Sequence, residues 1–253
     1  STFPSQMPSA MTGGNKGIGR AITESFLDAG YTVIVGARTS NDVERLCPKR
    51  VVFCKTDVRE EKNISALANK AFEVSGALNV WINNVGISSW RPIEKISEEF
   101  FYQLIDTNLK SVFWGCKVAA KAMVRGGGNI INISSIAGKR GSQNNSMYCA
   151  TKFGINGLTQ SLSKELGQKG IKVNAICPVL IKTEGLIEAL GDEYSPAKGN
   201  IDSFLSKFIE LNSALGSLPT GKDVGNMAVF LASKENRSVT GQCINVDSGV
   251  FPQ

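Results

Sequence analysis

The chain of 253 residues is 42% hydrophobic and 20% charged, enough apolar material for one sizeable α/β core. It contains no histidine, which removes the Ser-His-Asp and Cys-His triads, a His-ligated zinc and a histidine general base. Lys and Arg number 28 against 22 acids, a net charge of +6; this favours an anionic ligand, but the cations are scattered and form no nucleic-acid footprint.

The opening stretch Met7-Pro8-Ser9-Ala10-Met11 reads as a weak strand, short or late to start, because proline cannot donate to a ladder. After it comes Thr12-Gly13-Gly14-Asn15-Lys16-Gly17-Ile18-Gly19-Arg20. Glycines between a strand and a helix permit a tight turn and let a phosphate approach helix-terminal N–H groups; glycines alone would equally make a bare turn. Ile18, Ala21, Ile22, Phe26 and Ala29 then recur on one helical face, and Gly30 stops the helix.

The second strand, 31–36, runs into Ala37-Arg38-Thr39. A dinucleotide fold that prefers NAD would carry an acid here against the ribose 2′-hydroxyl. Ala37 and Arg38 instead supply space and a cation, with Lys16 a second one, so a 2′-phosphate is attracted and NADP is expected over NAD. The other reading of Arg38 is a solvated surface residue.

Further β-rich runs at 51–55, 78–82, 129–134, 171–176 and 242–246 alternate with amphipathic stretches. Such alternation implies a doubly wound parallel sheet with helices on both faces, here as one domain over residues 1–253. Segment 183–215 breaks the rhythm with Gly, Asp, Ser, Pro and Lys around short helical patches. Its length fits either a lid over a site or a surface excursion, the lid being preferred.

Cysteines 47, 54, 116, 149, 177 and 243 form no CxxC, so free thiols are expected and no metal knuckle. The Ser-Thr-Phe-Pro start lacks the features of a signal peptide, and no uninterrupted apolar run nears the ~18 residues of a membrane span. A cytoplasmic chain with no membrane and no nucleic-acid partner is expected.

Tyr148 and Lys152 share a face of a helix whose apolar stripe continues through Leu158, Leu162 and Leu166. An ammonium beside a phenol is expected to lower the phenol's pKa toward neutrality. An isolated pair of this spacing is more often a solvent-exposed i,i+4 pair.

Taken in order, these motifs resemble the classical short-chain dehydrogenase/reductase family, with its Rossmann fold and seven-stranded sheet, over nearly the whole length. Thr12-Gly13-x3-Gly17-Ile18-Gly19 looks like its coenzyme loop, Asn15 and Lys16 lying within it, and Asp57-Val58 looks like its adenine-contacting pair. Asn83-Asn84-Val85-Gly86 resembles the family's NNAG strand end, with Val85 where alanine is usual. Asn108, Ser135, Tyr148 and Lys152 match its catalytic tetrad. Pro178 and Thr183 stand near the nicotinamide segment, but Val179 replaces the usual glycine, and Ser248 replaces another in Val246-Asp247-Ser248-Gly249; Ser248 is expected to affect assembly contacts.

The resemblance implies that Ser135 and Tyr148 bind the substrate oxygen while hydride passes between nicotinamide C4 and the carbonyl carbon, Tyr148 giving the proton in reduction. It implies that Lys152 bonds the nicotinamide ribose and that Asn108 holds a helix backbone open for a water. A homodimer or homotetramer through the two long helices and the last strand is likewise implied; the Val112-Phe113-Trp114 patch suits that reading and a monomer core equally well. The pocket residues are expected from 87–92, from 137–145 and from the 183–215 lid, and the polar and basic character of Trp90, Arg91, Lys139, Arg140, Gln143 and Asn144 leads to an expected small-molecule substrate of the sugar, polyol or oxo-acid type of carbonyl compound or alcohol. A 3-oxoacyl-thioester reductase of the same family and a non-catalytic dinucleotide-binding scaffold are the alternatives.

Overall fold

A computed structural model describes residues 7–253. The Ser1–Pro4 start on which the expectation of no leader rests lies outside the described residues. Seven strands, β1 (Pro8–Thr12), β2 (Thr32–Ala37), β3 (Val51–Lys55), β4 (Val80–Asn83), β5 (Gly128–Ile133), β6 (Ile171–Pro178) and β7 (Cys243–Val246), form one sheet in the order β3-β2-β1-β4-β5-β6-β7. Every neighbouring pair is parallel.

The first strand departs from its expected weakness. It is central, paired with both β2 and β4. Pro8 is tolerated because it begins the strand, where its missing N–H breaks nothing; its carbonyl still accepts from the Asn79 N–H at 3.2 Å. Elsewhere the strand limits shift by one or two residues, with β6 running on to Pro178.

Helices α1 (Gly17–Asp28) and α8 (Gly221–Ala232) cover one face. Their Ile22, Phe26, Val224 and Leu231 pack on Met11, Val33, Val35, Ile82, Ile131 and Ile176. The opposite face is covered by α2 (Glu61–Ser75), α4 (Ser111–Met123) and α5 (Ser146–Leu166), with Ile64, Leu67, Val112 and Ile155 on Ala10, Ile34, Trp81, Ile130 and Val173. Neighbours such as Ala10 and Met11 thus serve opposite cores, as the two-residue pleat requires. A short helix, α3 (Glu98–Leu104), leads through a π-helical segment, Ile105–Lys110, into α4.

Residues 183–215 are not a bare loop. They contain α6 (Glu184–Leu190) and α7 (Ile201–Asn212), and Leu190, Ala197 and Leu205 form a separate small core with Trp90. The sheet's connections reverse direction between β1 and β4, the crevice at which open α/β folds bind ligands.

Candidate active site

A cleft of about 1550 Å³ opens over the carboxyl ends of the strands. Its lining joins the glycine loop, the segment after β4, the loop after β5, the start of α5 and the 183–215 segment.

The glycine loop is held by β1 and β4 together. The Thr12 hydroxyl accepts from the backbone N–H groups of Asn84 and Val85 (3.0 and 3.3 Å), and the Asn84 amide donates to the Gly13 carbonyl at 3.1 Å. Gly13 has φ +69°, the left-handed region. A Cβ at Gly19 would lie 2.0 Å from the Gly13 carbonyl oxygen, so only glycine lets the loop fold over the start of α1. Asn15 ties the loop sideways, donating to the Thr39 carbonyl at 2.8 Å.

No side chain caps α1 and its first turn holds no acid, so its terminal N–H groups and positive dipole end serve Gly17, Ile18 and Gly19 in the cleft lining. This cradle fits a dinucleotide pyrophosphate. Lys16 also lines the cleft.

At the end of β2, Arg38 is exposed and stands outside that lining. Asp57 is gripped by Arg59 through contacts of 2.6 and 2.9 Å. That hydrogen bonding, with further help from the Arg38 charge, holds its carboxyl down to about 2. Val58 is buried behind it, also outside the lining.

Two of the tetrad residues, Asn108 and Lys152, meet at Gly86. A Cβ there would meet Lys152 Nζ at 3.5 Å and Asn108 Oδ1 at 3.6 Å. Asn108 sits in the π-helical segment and clamps the Ile87 backbone from both sides, accepting from its N–H and donating to its carbonyl, each at 2.8 Å. Ser135 caps a turn after β5, its hydroxyl accepting from the Ala137 N–H at 3.1 Å. Tyr148 lies in the first turn of α5 and lines the cleft together with Ser135. Lys152 follows one turn later and donates to the Ile133 carbonyl at 3.1 Å.

The electrostatics correct the expectation of an acidified tyrosine. Burial pushes the Tyr148 phenol up to about 12, outweighing the Ser135 hydrogen bond that pulls it down. Burial lowers Lys152 to about 8. Lys152 lies 5.5 Å from the centroid of the phenol ring; at about 8 it is still mostly an ammonium at neutral pH, and desolvation of the phenol prevails over it.

Pro178 ends β6, paired with Val246, and stays outside the cleft lining. Thr183 lines the cleft and caps α6, accepting from the Leu186 N–H at 3.2 Å. Val179 packs with Ile136 and Val250 at the cleft edge.

Of the expected substrate residues, Trp90, Arg91, Arg140 and Gln143 line the cleft. Lys139 does not: its ammonium is spent on the Cys243 carbonyl and Gln253 Oε1. Asn144 also stands outside the lining and donates to the Tyr194 carbonyl at 3.3 Å. From the 183–215 segment, which the sequence offers as a pocket wall, Leu186, Phe204 and Phe208 line the cleft; no local motif singles them out. Among the described residues no cluster of His, Cys, Asp or Glu suits a metal ion, and all six cysteines are free.

A parallel doubly wound sheet, a glycine cradle at its switch point and a Ser-Tyr-Lys group lining the same cleft define a dinucleotide-dependent oxidoreductase site. Residues 13–251 match the family model described as Enoyl-(Acyl carrier protein) reductase. The chain is 34% identical to a 3-oxoacyl-[acyl-carrier-protein] reductase FabG of Chlamydia muridarum, covering 95% of each. It is also 34% identical to an L-2,3-butanediol dehydrogenase of Corynebacterium glutamicum, covering 95% of this chain and 97% of that one. Among solved structures, ElxO with NADP bound superposes with a TM-score of 0.86 at 31% identity, covering 97% of this chain and 98% of that one. The chain belongs to the short-chain dehydrogenase/reductase family, and it is an oxidoreductase of the CH–OH/C=O type that uses NAD(P).

Proposed function

We propose that this protein is an NADP(H)-dependent oxidoreductase that interconverts a ketone or aldehyde with an alcohol, Tyr148 acting as general acid and base. The observation that carries the reading is the meeting of Ser135, Tyr148 and the buried Lys152 in the lining of the cleft that also holds the glycine cradle. Bound nicotinamide dinucleotide supplies or accepts the hydride. Gly13, Asn15, Lys16, Gly17, Ile18 and Gly19 hold its pyrophosphate region, Asp57 and Val58 its adenine side, and Asn84, Gly86, Pro178 and Thr183 its nicotinamide side. Lys152 and Tyr148 flank the same region.

Ser135 and Tyr148 orient the substrate oxygen by hydrogen bonds. A phenol raised to about 12 is protonated at neutral pH, ready to donate in the reducing direction. Asn108 fixes the backbone of Ile87 beside Lys152 and so positions the lysine's surroundings.

Arg38 at the β2 terminus, with Asp57 already engaged by Arg59, supports a 2′-phosphate partner and NADP over NAD. The NADP bound in ElxO supports the same choice. The chain acts as one domain over 1–253, with 183–215 as a lid: Leu186, Phe204 and Phe208 of that segment reach the cleft. Exposed Phe113 on α4 and Phe153 on α5 support a homodimer or homotetramer built on those helices. No helix among the described residues is long and apolar enough to cross a membrane, in keeping with a cytoplasmic reading.

The substrate is a polar carbonyl compound of sugar, polyol or oxo-acid type, supported by Ser142, Gln143, Arg140 and Arg91 in the lining. The FabG relative favours a 3-oxoacyl-thioester reductase as the second reading.

Fluorescence titration with NADPH and NADH tests the cofactor assignment. NADPH binds more tightly, and Arg38→Asp weakens it by about tenfold or more, the loss of one charge-assisted contact. Tyr148→Phe retains binding and lowers kcat/KM by roughly 10³-fold across a carbonyl panel. Failure of both nucleotides to bind, or full activity in Tyr148→Phe, overturns the reading.

A further inference from the structure

Arg91 and Asp192 approach one another across the cleft from independent elements. Arg91 follows β4, and its backbone N–H is anchored to the Asn144 carbonyl at 2.6 Å, in the loop that leads into Tyr148. Asp192 follows α6. Both line the cleft, with side chains 32% and 26% exposed.

Their contact is loose. The Arg91 Nη2 to Asp192 Oδ2 distance is 3.6 Å, beyond the roughly 2.7–2.9 Å of a charge-assisted hydrogen bond. Arg91 Nε is buried with no partner. The guanidinium is nevertheless held in place between two rings, 5.1 Å from the Phe100 centroid and 5.3 Å from that of Tyr194. On the other side, Asp192 Oδ1 is fixed by the Tyr194 N–H at 2.9 Å, leaving Oδ2 facing the arginine.

A rigid donor and a rigid acceptor with a slack contact form a site for a group that both accepts and donates. A hydroxyl does this: its oxygen accepts from the guanidinium while its proton goes to the carboxylate. A carboxylate does not, since it would accept from Arg91 only by confronting Asp192 with a like charge.

We infer that Arg91 and Asp192 together recognise a hydroxyl group carried by the substrate near its reacting carbonyl, selecting a hydroxylated carbonyl compound over an oxo-acid or an acyl thioester. This inference rests on the oxidoreductase reading above. It names these two residues as specificity determinants, and it makes the same hydroxyl a bridge between the core and the 183–215 segment.

The test is steady-state kinetics with NADPH on pairs of carbonyl compounds that differ by one hydroxyl next to or one carbon removed from the carbonyl, with a matched oxo-acid and an acyl thioester alongside. Wild type prefers the hydroxylated member by roughly 100-fold in kcat/KM, short of the 10⁴-fold or more that a fully buried hydroxyl site reaches. Asp192→Asn, which keeps shape, and Arg91→Gln each bring the ratio to within about tenfold of unity; Arg91→Lys serves where the glutamine variant fails to fold. A ratio that stays at its wild-type value while both rates fall means the pair only fastens the 183–215 segment, and overturns the inference. Preference for the oxo-acid or the thioester overturns it too, leaving the oxidoreductase reading in place. Turnover of no carbonyl, hydroxylated or not, overturns both.

Discussion

Lys152 Nζ stands 5.5 Å from the centre of the Tyr148 ring but gives its hydrogen bond to the Ile133 carbonyl, 3.1 Å away. The pair is therefore not a preformed ammonium-phenolate couple. Burial acts on both groups in the same sense, disfavouring the charged form of each, so the phenol rises and the amine falls. At neutral pH the site holds its proton on the tyrosine.

Ultraviolet titration of the cofactor-free protein should show this directly. The difference between wild type and Tyr148→Phe at phenolate wavelengths stays flat through pH 10 and develops only toward pH 12, following the raised phenol at about 12. Ser135→Ala moves it later still, because the hydrogen bond from Ser135 is what lowers the phenol. Ionisation of Tyr148 below pH 9 in the free protein would contradict the upward shift.

Stability carries the signature of the lysine. Its folded-state value, about 8, lies below the ordinary 10.5, so across that window the unfolded chain binds the extra proton and this residue's contribution to stability rises with pH. Tyr148 acts later and oppositely: its folded value exceeds the ordinary 10.0, so its contribution is lost as pH climbs from there to about 12. Lys152→Met, which cannot be charged, is expected to be more stable than wild type at pH 7 by about 1–2 kcal/mol, after allowing for the Ile133 carbonyl it strands. That gap closes by pH 10. Urea unfolding at pH 7, 8.5 and 10 measures it, and a variant less stable than wild type at pH 7 would refute the burial argument.

What the sequence disclosed followed from how local each feature is. The glycine loop, Ser135 and the Tyr148-Lys152 spacing are fixed by neighbours in the chain, and each stands where the motifs put it, around one cleft. Pro8 misled because its cost depends on where in a ladder it falls, and at the first residue of β1 that cost vanishes. The direction of the Tyr148 shift was hidden for a different reason: spacing places Lys152 nearby, but desolvation depends on how the folded chain surrounds the phenol. Lys139 was misassigned because the partner that consumes its charge, the Cys243 carbonyl, is 104 residues away. The Asn108 clamp on Ile87 lies 21 residues apart in sequence, and no pattern announces it.

The cradle argument makes Gly19 a sharp test. A methyl group there would stand 2.0 Å from the Gly13 carbonyl oxygen and 2.4 Å from the Asn84 amide, and the backbone oxygen cannot swing away as a side chain could. Gly19→Ala must open the loop or shift α1. NADPH affinity in a fluorescence titration is expected to fall roughly 100-fold or more, equivalent to about 3 kcal/mol. Gly157→Ala on α5, where a Cβ meets nothing, is the matched control and leaves binding as it is. Equal affinities for the two variants would show that the loop does not hold the nucleotide.

Ser248 supplies a prediction that concerns folding alone. Its φ is +54°, in the left-handed region, where the family's usual glycine carries no penalty and an L side chain costs about 1–2 kcal/mol. The conformation persists because the Ser248 carbonyl accepts from the Leu215 N–H at 3.2 Å and the Ser213 hydroxyl at 3.4 Å, pinning the turn after β7 to the end of the 183–215 segment. Ser248→Gly removes the strain but frees the unfolded chain by about 0.4–1 kcal/mol, so a net gain of about 0.5 kcal/mol is expected, read as a higher urea midpoint with an unchanged slope. Ser248→Val, with a branched Cβ that tolerates this region worst, is expected to lose about 1 kcal/mol or more against wild type. Valine unfolding at the same midpoint as glycine would mean that the turn relaxes freely, and that the two hydrogen bonds to its carbonyl do not hold it.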